Sequence, residues 1–162
     1  MPKIDLTAMS EVAVLENDLM LPEQKLVRFQ LGDEHFAFSV DSVTGIIRWR
    51  EVTPLPSQTT HLLGLANLRG RTLPISDLRI RLGIPSERPV EDGYVIVTEN
   101  DHGSVGFLVD DVAEVITITE SDVQEGVSEA NSILSEMVRG IVNLDDTLIS
   151  IVDMNSLIGV NE

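Results

Sequence analysis

Gly64-Leu-Ala-Asn-Leu-Arg-Gly-Arg-Thr-Leu-Pro-Ile-Ser-Asp-Leu-Arg-Ile-Arg-Leu-Gly83 is written twice in this chain. Seventy-six residues later, Gly140-Ile-Val-Asn-Leu-Asp-Asp-Thr-Leu-Ile-Ser-Ile-Val-Asp-Met-Asn-Ser-Leu-Ile-Gly159 follows the same pattern without a gap. In each copy a short apolar run (Leu62 to Ala66, Val138 to Val142) predicts a buried strand. Asn67-Leu68-Arg69-Gly70 predicts a turn with Asn at its first position and Gly at its fourth, and a second strand follows from Thr72 to Ser76. Asp77 and Asp153 are placed to cap short helices that Gly83 and Gly159 end. Pro74, which has no N–H for a ladder, predicts an edge or bulged strand.

Working outward, the front of the unit is duplicated too. Phe38-Ser-Val-Asp-Ser-Val43 aligns with Phe107-Leu-Val-Asp-Asp-Val112 at a shift of 69, and Ile47 aligns with Ile116. The larger shift at the back places seven extra residues within 120–137, a polar, acidic stretch expected to be a long loop or a short helix. Residues 25–31, 36–40, 46–49, 94–98 and 105–109 supply further short strands, separated by turn residues. Residues 84–93 are the best candidate for a linker between the copies. The expectation is an all-β, mainly antiparallel protein of two small units with short helices, about 25–83 and about 94–160. Each is too small to bury much alone, so their apolar faces should pack together and leave a groove at the joint. Residues 1–24 read as a tail that is flexible or partly helical.

Composition bounds the function. The chain has 162 residues, 43% of them apolar, and no cysteine, which excludes disulfides, thiol catalysis and Cys-based zinc sites. No run approaches a membrane span, and the acidic residues near the N-terminus leave no apolar core for a signal peptide, so a soluble, cytoplasmic protein is expected. Net charge is −16 and is uneven: residues 1–89 hold 10 basic and 11 acidic residues, residues 90–162 only Arg139 against 16 acidic ones. This disfavours nucleic-acid binding, which needs concentrated positive charge.

Catalytic chemistry is nearly absent from the pattern. His35, His61 and His102 are widely spaced and form no metal-ligand motif. Asp110-Asp111 and Asp145-Asp146 lack calcium-loop spacing and read as solvated turn or strand-end residues. There is no phosphate loop and no nucleophile elbow. No enzyme activity, cofactor or metal is expected. Arg69 stands out at the tip of the first duplicated turn, as an always-charged fork suited to a partner carboxylate. Its counterpart in the second copy is Asp145, of opposite sign, so head-to-tail self-association through the two turns is a hypothesis.

Gly64-x-x-Asn-Leu-Arg-Gly70 followed by Leu73-Pro-Ile-x-Asp-Leu-Arg79 resembles the chemotaxis coupling protein family, CheW. Phe38-x-Val-Asp-x-Val43, Val105-Gly106-x-x-Val109-Asp110 and the run from Gly140 through Asp153 support the likeness, which covers about residues 25–160. The resemblance implies two packed, five-stranded SH3-like barrels over a domain of 25–162. It also implies a non-enzymatic scaffold that couples the cytoplasmic tips of chemoreceptors to the regulatory domain of a CheA-like histidine kinase at membrane receptor arrays. The partner-binding residues it points to are Arg69, Val43, Gly45, Ile46, Gly64, Asn67, Gly70, Val105 and Gly106. The family usually carries Glu where this chain has Gly45, whereas the second copy has Glu114. Two alternatives remain open: an adaptor of this type serving surface or pilus motility, and a small-ligand-binding domain or unrecognised enzyme using the groove between the units.

Overall fold

The computed structural model describes residues 22–56, 60–101, 103–124 and 136–159. Most of the 1–24 tail, His102 and most of the insertion within 120–137 lie outside them. Eleven strands are described: β1 (Glu23–Leu31), β2 (Glu34–Ser39), β3 (Val43–Arg48), β4 (Leu62–Leu68), β5 (Arg71–Asp77), β6 (Tyr94–Asn100), β7 (Gly103–Val109), β8 (Asp111–Thr119), β9 (Val123–Gln124), β10 (Val138–Leu144) and β11 (Thr147–Val152). Two short helices, α1 (Leu78–Leu82) and α2 (Met154–Gly159), follow β5 and β11. The Asp77 side chain accepts from the Arg79 N–H at the start of α1, and Gly83, at φ 73, ends it in the left-handed conformation.

The strands form two sheets, in the orders β8-β1-β2-β11-β10-β9 and β3-β6-β7-β5-β4. This corrects the expected division at 84–93. Each sheet takes one adjacent pair of strands (β1 and β2, β6 and β7) from one copy and the strands on either side of that pair from the other, so the duplicated units are intertwined. The cause lies in the connections. Three residues of 3-10 helix (Val40–Ser42) separate β2 from β3, and Asp110 alone separates β7 from β8. One residue is too short for a hairpin, so the chain runs on into the opposite sheet. The copies meet twice within each sheet, once in a parallel pair (β2 with β11, β5 with β7) and once in an antiparallel one (β1 with β8, β3 with β6), and all pairings within a copy are antiparallel. The first sheet also has a sixth strand. β9 continues β8 past a 3-10 turn and pairs with β10, joining the ends of the sheet. In the second sheet Thr53, beyond β3, makes the equivalent join by exchanging two hydrogen bonds with Leu65 of β4 (2.7 and 2.9 Å).

That join also corrects the reading of Pro74. β5 is an inner strand. Leu65, which faces Pro74, turns its N–H and C=O towards Thr53, so this pair needs nothing from the missing proline N–H. On the other side, pairing with β7 begins only at Ile75.

The central strands are buried on both faces. Leu26, Ala37, Val95 and Val97 point into the barrels, while Phe29, Phe36, Phe38, Ile96 and Phe107 meet at the joint. All four phenylalanines of the chain are in this joint, with Phe29 4.8 Å and Phe107 5.8 Å from Phe38 between ring centroids. Burying each contributes about 1.5–3 kcal/mol. The predicted linker is part of this packing: Ile84 is buried in the same cluster.

A buried ionic network pins the β5–α1 corner beside the joint. Arg79 bonds Asp77 (2.9 Å) and Asp110 (3.0 Å), and Asp110 also accepts from Ser86 Oγ (2.8 Å) and the Gly32 N–H (2.6 Å). The Asp77 hydrogen bond, and then the charges of Asp77 and Asp110, raise the Arg79 pKa against the opposing pull of burial. Asp110 is therefore not a solvated strand-end residue, as the sequence suggests, but 2% exposed. Neighbouring Asp111 is exposed.

Candidate functional site

The β4–β5 hairpin is tighter than its sequence suggests. The ladder runs to Leu68 opposite Arg71, so the two loop residues are Arg69 and Gly70, at φ 54 and 80. Positive φ at both loop residues is the pattern whose twist matches that of paired strands. Asn67 braces the turn through its side-chain oxygen, which accepts from the Gly70 N–H (3.0 Å). Arg50 donates to the Asn67 carbonyl (2.8 Å). Arg69 is thereby held exposed in a conformation that costs a non-glycine residue about 1–2 kcal/mol. Neither the Arg69 nor the Arg71 side chain makes a hydrogen bond or ion pair with any described residue.

Beside this turn the mouth of the second barrel opens as a recess of about 310 Å³. β3 contributes Gly45, Ile46 and Ile47, the hairpin contributes Leu68, Arg69, Arg71 and Leu73, and Val97, Glu99 and Ser104 line the remaining side. Gly45 sits at a bulge in β3, and no atom lies within 4 Å of where its Cβ would stand. Ile46 beside it is 43% exposed. The lining is mixed: Ile46, Ile47, Leu68, Leu73 and Val97 are apolar, and Arg69, Arg71 and Glu99 supply two cations and one carboxylate.

The first barrel shows what closes such a mouth. At a shift of 69, Val97, Gly45 and Ser104 correspond to Arg28, Glu114 and His35. There Arg28 spans the opening, bonded to Glu114 (3.0 Å) and to His35 Nδ1 (3.4 Å). One mouth carries an ion pair across its strands, and the other lacks both partners of that pair. The opposite turn differs in sign: Asp145 and Asp146, at φ 53 and 68, take the places of Arg69 and Gly70 and are exposed.

Of the nine residues singled out from sequence, the structure brings Gly45, Ile46 and Arg69 together at the recess, with Asn67 and Gly70 building the turn that presents Arg69. The other four lie elsewhere. Val43 and Val105 are half-buried against the joint. A Cβ on Gly106 would stand 2.7 Å from both Ile75 and Val95, so this glycine serves packing. Gly64, at φ 150, lets the Thr53 carbonyl come within 2.3 Å of where a Cβ would be, which makes the closing bridge of the barrel. Arg71, Val97 and Glu99 line the recess but were not singled out. The shift of 69, extended to Arg28 and Glu114, carries the signal for Val97. A second recess of about 210 Å³ lies between the sheets, among Ser39, Ser42, Arg139, Asp153 and Asn155. Among the described residues no group of three or more acidic or histidine side chains is arranged to hold a metal ion, and no helix is long and apolar enough to cross a membrane.

The CheW-like domain family model matches residues 25–162. The probable chemotaxis protein CheW of Rhizobium etli is 31% identical over 140 residues, which is 86% of this chain and 90% of that protein. The chemotaxis protein CheW of Bacillus subtilis is 30% identical over 138 residues, 83% of this chain and 86% of that one. The solved structure of the scaffolding protein TtCheW from Thermoanaerobacter tengcongensis superposes with a TM-score of 0.76 at 30% identity, covering 86% of this chain and 95% of that one. The intertwined double barrel and these matches agree: the chain belongs to the CheW family of chemotaxis coupling proteins, non-enzymatic scaffolds.

Proposed function

We propose that this protein is a cytoplasmic adaptor that links the cytoplasmic tips of chemoreceptors to the regulatory domain of a CheA-like histidine kinase, and that Arg69 lies at a partner contact. The observation that carries the proposal is the strained, exposed and unpaired Arg69 beside an open barrel mouth, on a chain of this family. A side chain held in a costly backbone conformation with no internal partner has its use outside the molecule. Guanidinium is the group best matched to a carboxylate of a binding partner.

The test is binding of the purified kinase regulatory domain and of receptor-tip fragments from the same cells to wild type and to Arg69→Ala. Wild type is expected to bind at least one of them, and Arg69→Ala to bind it at least about tenfold more weakly with an unchanged circular dichroism spectrum, a loss of about 1.4 kcal/mol. Absence of binding to both partners by wild type refutes the adaptor role. Equal binding by the variant removes Arg69 from the contact.

A further inference from the structure

We infer that residues 1–21 of this chain dock into the mouth of the second barrel, in the same molecule, and set their carboxylates on Arg69 and Arg71. The segment lies outside the described residues, and three observations select it as the occupant. The first is its sequence. At about 100° per residue, Ile4, Ala8, Val12, Leu15 and Leu19 would share a helical stripe about 80° wide. All four acidic residues of the segment fall within about 40° of the edges of that stripe, Asp5 and Glu16 on one side and Glu11 and Asp18 on the other. Lys3, its one basic residue, falls about 100° from the nearer edge. Such a face is apolar along its middle and anionic along both flanks. The second observation is that the mouth is the complement of this face. Ile46, Ile47 and Leu68 supply apolar surface, and the exposed Arg69 and Arg71 supply cations whose side chains have no partner among the described residues. Gly45 puts no side chain in the way, and nothing lies within 4 Å of its missing Cβ, so another backbone can come close to β3.

The third observation is reach. Glu23, which opens β1, borders the same recess as Asp41. Asp41 precedes Gly45 of the mouth by four residues, at most about 14 Å of extended chain. A helix over residues 4–19 is about 24 Å long, so the segment leaves the fold close enough to lie across the mouth. Docked in this way it takes the place that the proposed function gives to a partner carboxylate, and that partner must displace it. The competition rests on the adaptor reading, but the docking needs only this chain and is tested without a partner.

Because the chain has no cysteine, Ser10→Cys gives the full chain a single attachment point for a nitroxide spin label. Ser10 would lie about 160° from the centre of the stripe, so the label leaves the docking face clear. Paramagnetic broadening of backbone amide signals then reads where the segment sits. The signals of Gly45, Ile46 and Arg71 are expected to lose most of their intensity, and those of Asp145 and Leu148, on the first barrel, to keep theirs. Arg69→Asp with Arg71→Glu is expected to restore the Gly45 and Ile46 signals, and adding Glu11→Arg with Glu16→Arg to that chain to broaden them again. Asp suits position 69, since Asp145 already holds the equivalent position at φ 53. Absence of broadening at the mouth overturns the inference, as does equal broadening of both barrels, broadening that survives the charge reversal, or a second reversal that fails to bring it back. A mixture of spin-labelled chains with unlabelled, isotope-enriched ones separates the two possible sources of the segment. Broadening of the enriched chains equal to that seen within one molecule would place a second copy's segment in the mouth and overturn docking within the molecule.

Discussion

Asp110→Ala is expected to destabilise the protein by about 3 kcal/mol, while Asp111→Ala, one residue on, changes stability by less than about 0.5 kcal/mol. The sequence presents the two as one acidic pair, but the structure separates them. Asp110 accepts from Gly32 N–H, Ser86 Oγ and Arg79 Nη1 at 2.6, 2.8 and 3.0 Å and is 2% exposed. Breaking a buried ion pair costs about 3–5 kcal/mol, and the lower end applies because Arg79 keeps the Asp77 carboxylate on its other edge. Asp111 is exposed, and among the described residues its carboxylate accepts only from the adjacent Val112 N–H (2.9 Å). Urea unfolding followed by circular dichroism and by the fluorescence of the single Trp49 measures the difference, with an unchanged m-value required for the comparison. The melting temperature should fall by about 6–12 °C for Asp110→Ala, taking about 2–4 °C per kcal/mol at this chain length. A loss under about 1 kcal/mol at Asp110, or equal losses at both sites, refutes the claim that this network ties the β1–β2 turn and the 84–93 segment to α1.

Arg69→Gly should raise stability by about 1 kcal/mol in the same urea assay, because glycine adopts the left-handed conformation without the steric cost that arginine bears there; a loss of stability would show that the Arg69 side chain has an internal role. Gly64→Ala should lower it by about 2–3 kcal/mol, since the new methyl meets the Thr53 carbonyl and opens the bridge that closes the second barrel; an unchanged melting curve would mean that the bridge is dispensable. Stability should also fall as pH drops through the ordinary histidine value of 6.5. Burial first, and the Arg81 charge second, lower the His61 pKa, so the unfolded chain binds the proton more readily and the neutral form favours the fold. His61→Asn should flatten the slope of stability against pH just below neutrality, and an unaltered slope would assign it to another group. Finally, peptides 22–88 and 89–162, mixed, should recover the native circular dichroism spectrum that neither shows alone, because each sheet draws strands from both copies; cooperative folding of either alone would contradict the intertwined topology.

Much of the local structure was legible because it depends on neighbours in sequence. Apolar runs, turn residues and helix caps placed most strands within two residues, and the Asp77 and Gly83 caps formed as their types demand. What sequence could not show is which copy pairs with which. Intertwined and separate arrangements satisfy the same alternation, and only the single-residue connection at Asp110 decides between them. Asp110 itself was misread because its partner Arg79 lies 31 residues away. At the candidate site, Arg69 was legible as a charged residue near the turn tip, but the recess beside it was not. Its emptiness comes from Gly45 and Val97 together, on strands β3 and β6, and shows only against the Arg28–Glu114 plug of the other barrel.

That contrast bears on what a coupling protein needs. Duplication produces two equivalent surfaces, and a molecule with two equivalent surfaces cannot hold two different partners in a fixed order. Here the backbone repeats closely, down to the positive φ of Arg69 and Asp145, while the side chains at the barrel mouths and turn tips have diverged. Arg28 and Glu114 pair at one mouth, and Val97 and Gly45 take their places at the other. Arg69 and Arg71 make one turn cationic, whereas Asp145 and Asp146 make the other anionic. Electrostatic complementarity of this kind sets orientation and partner choice more than affinity, because like charges brought face to face cost several kcal/mol. The divergence therefore gives a pseudo-symmetric scaffold a direction: its two ends differ in charge and in the side chains at their mouths, and the shared core at the joint connects them.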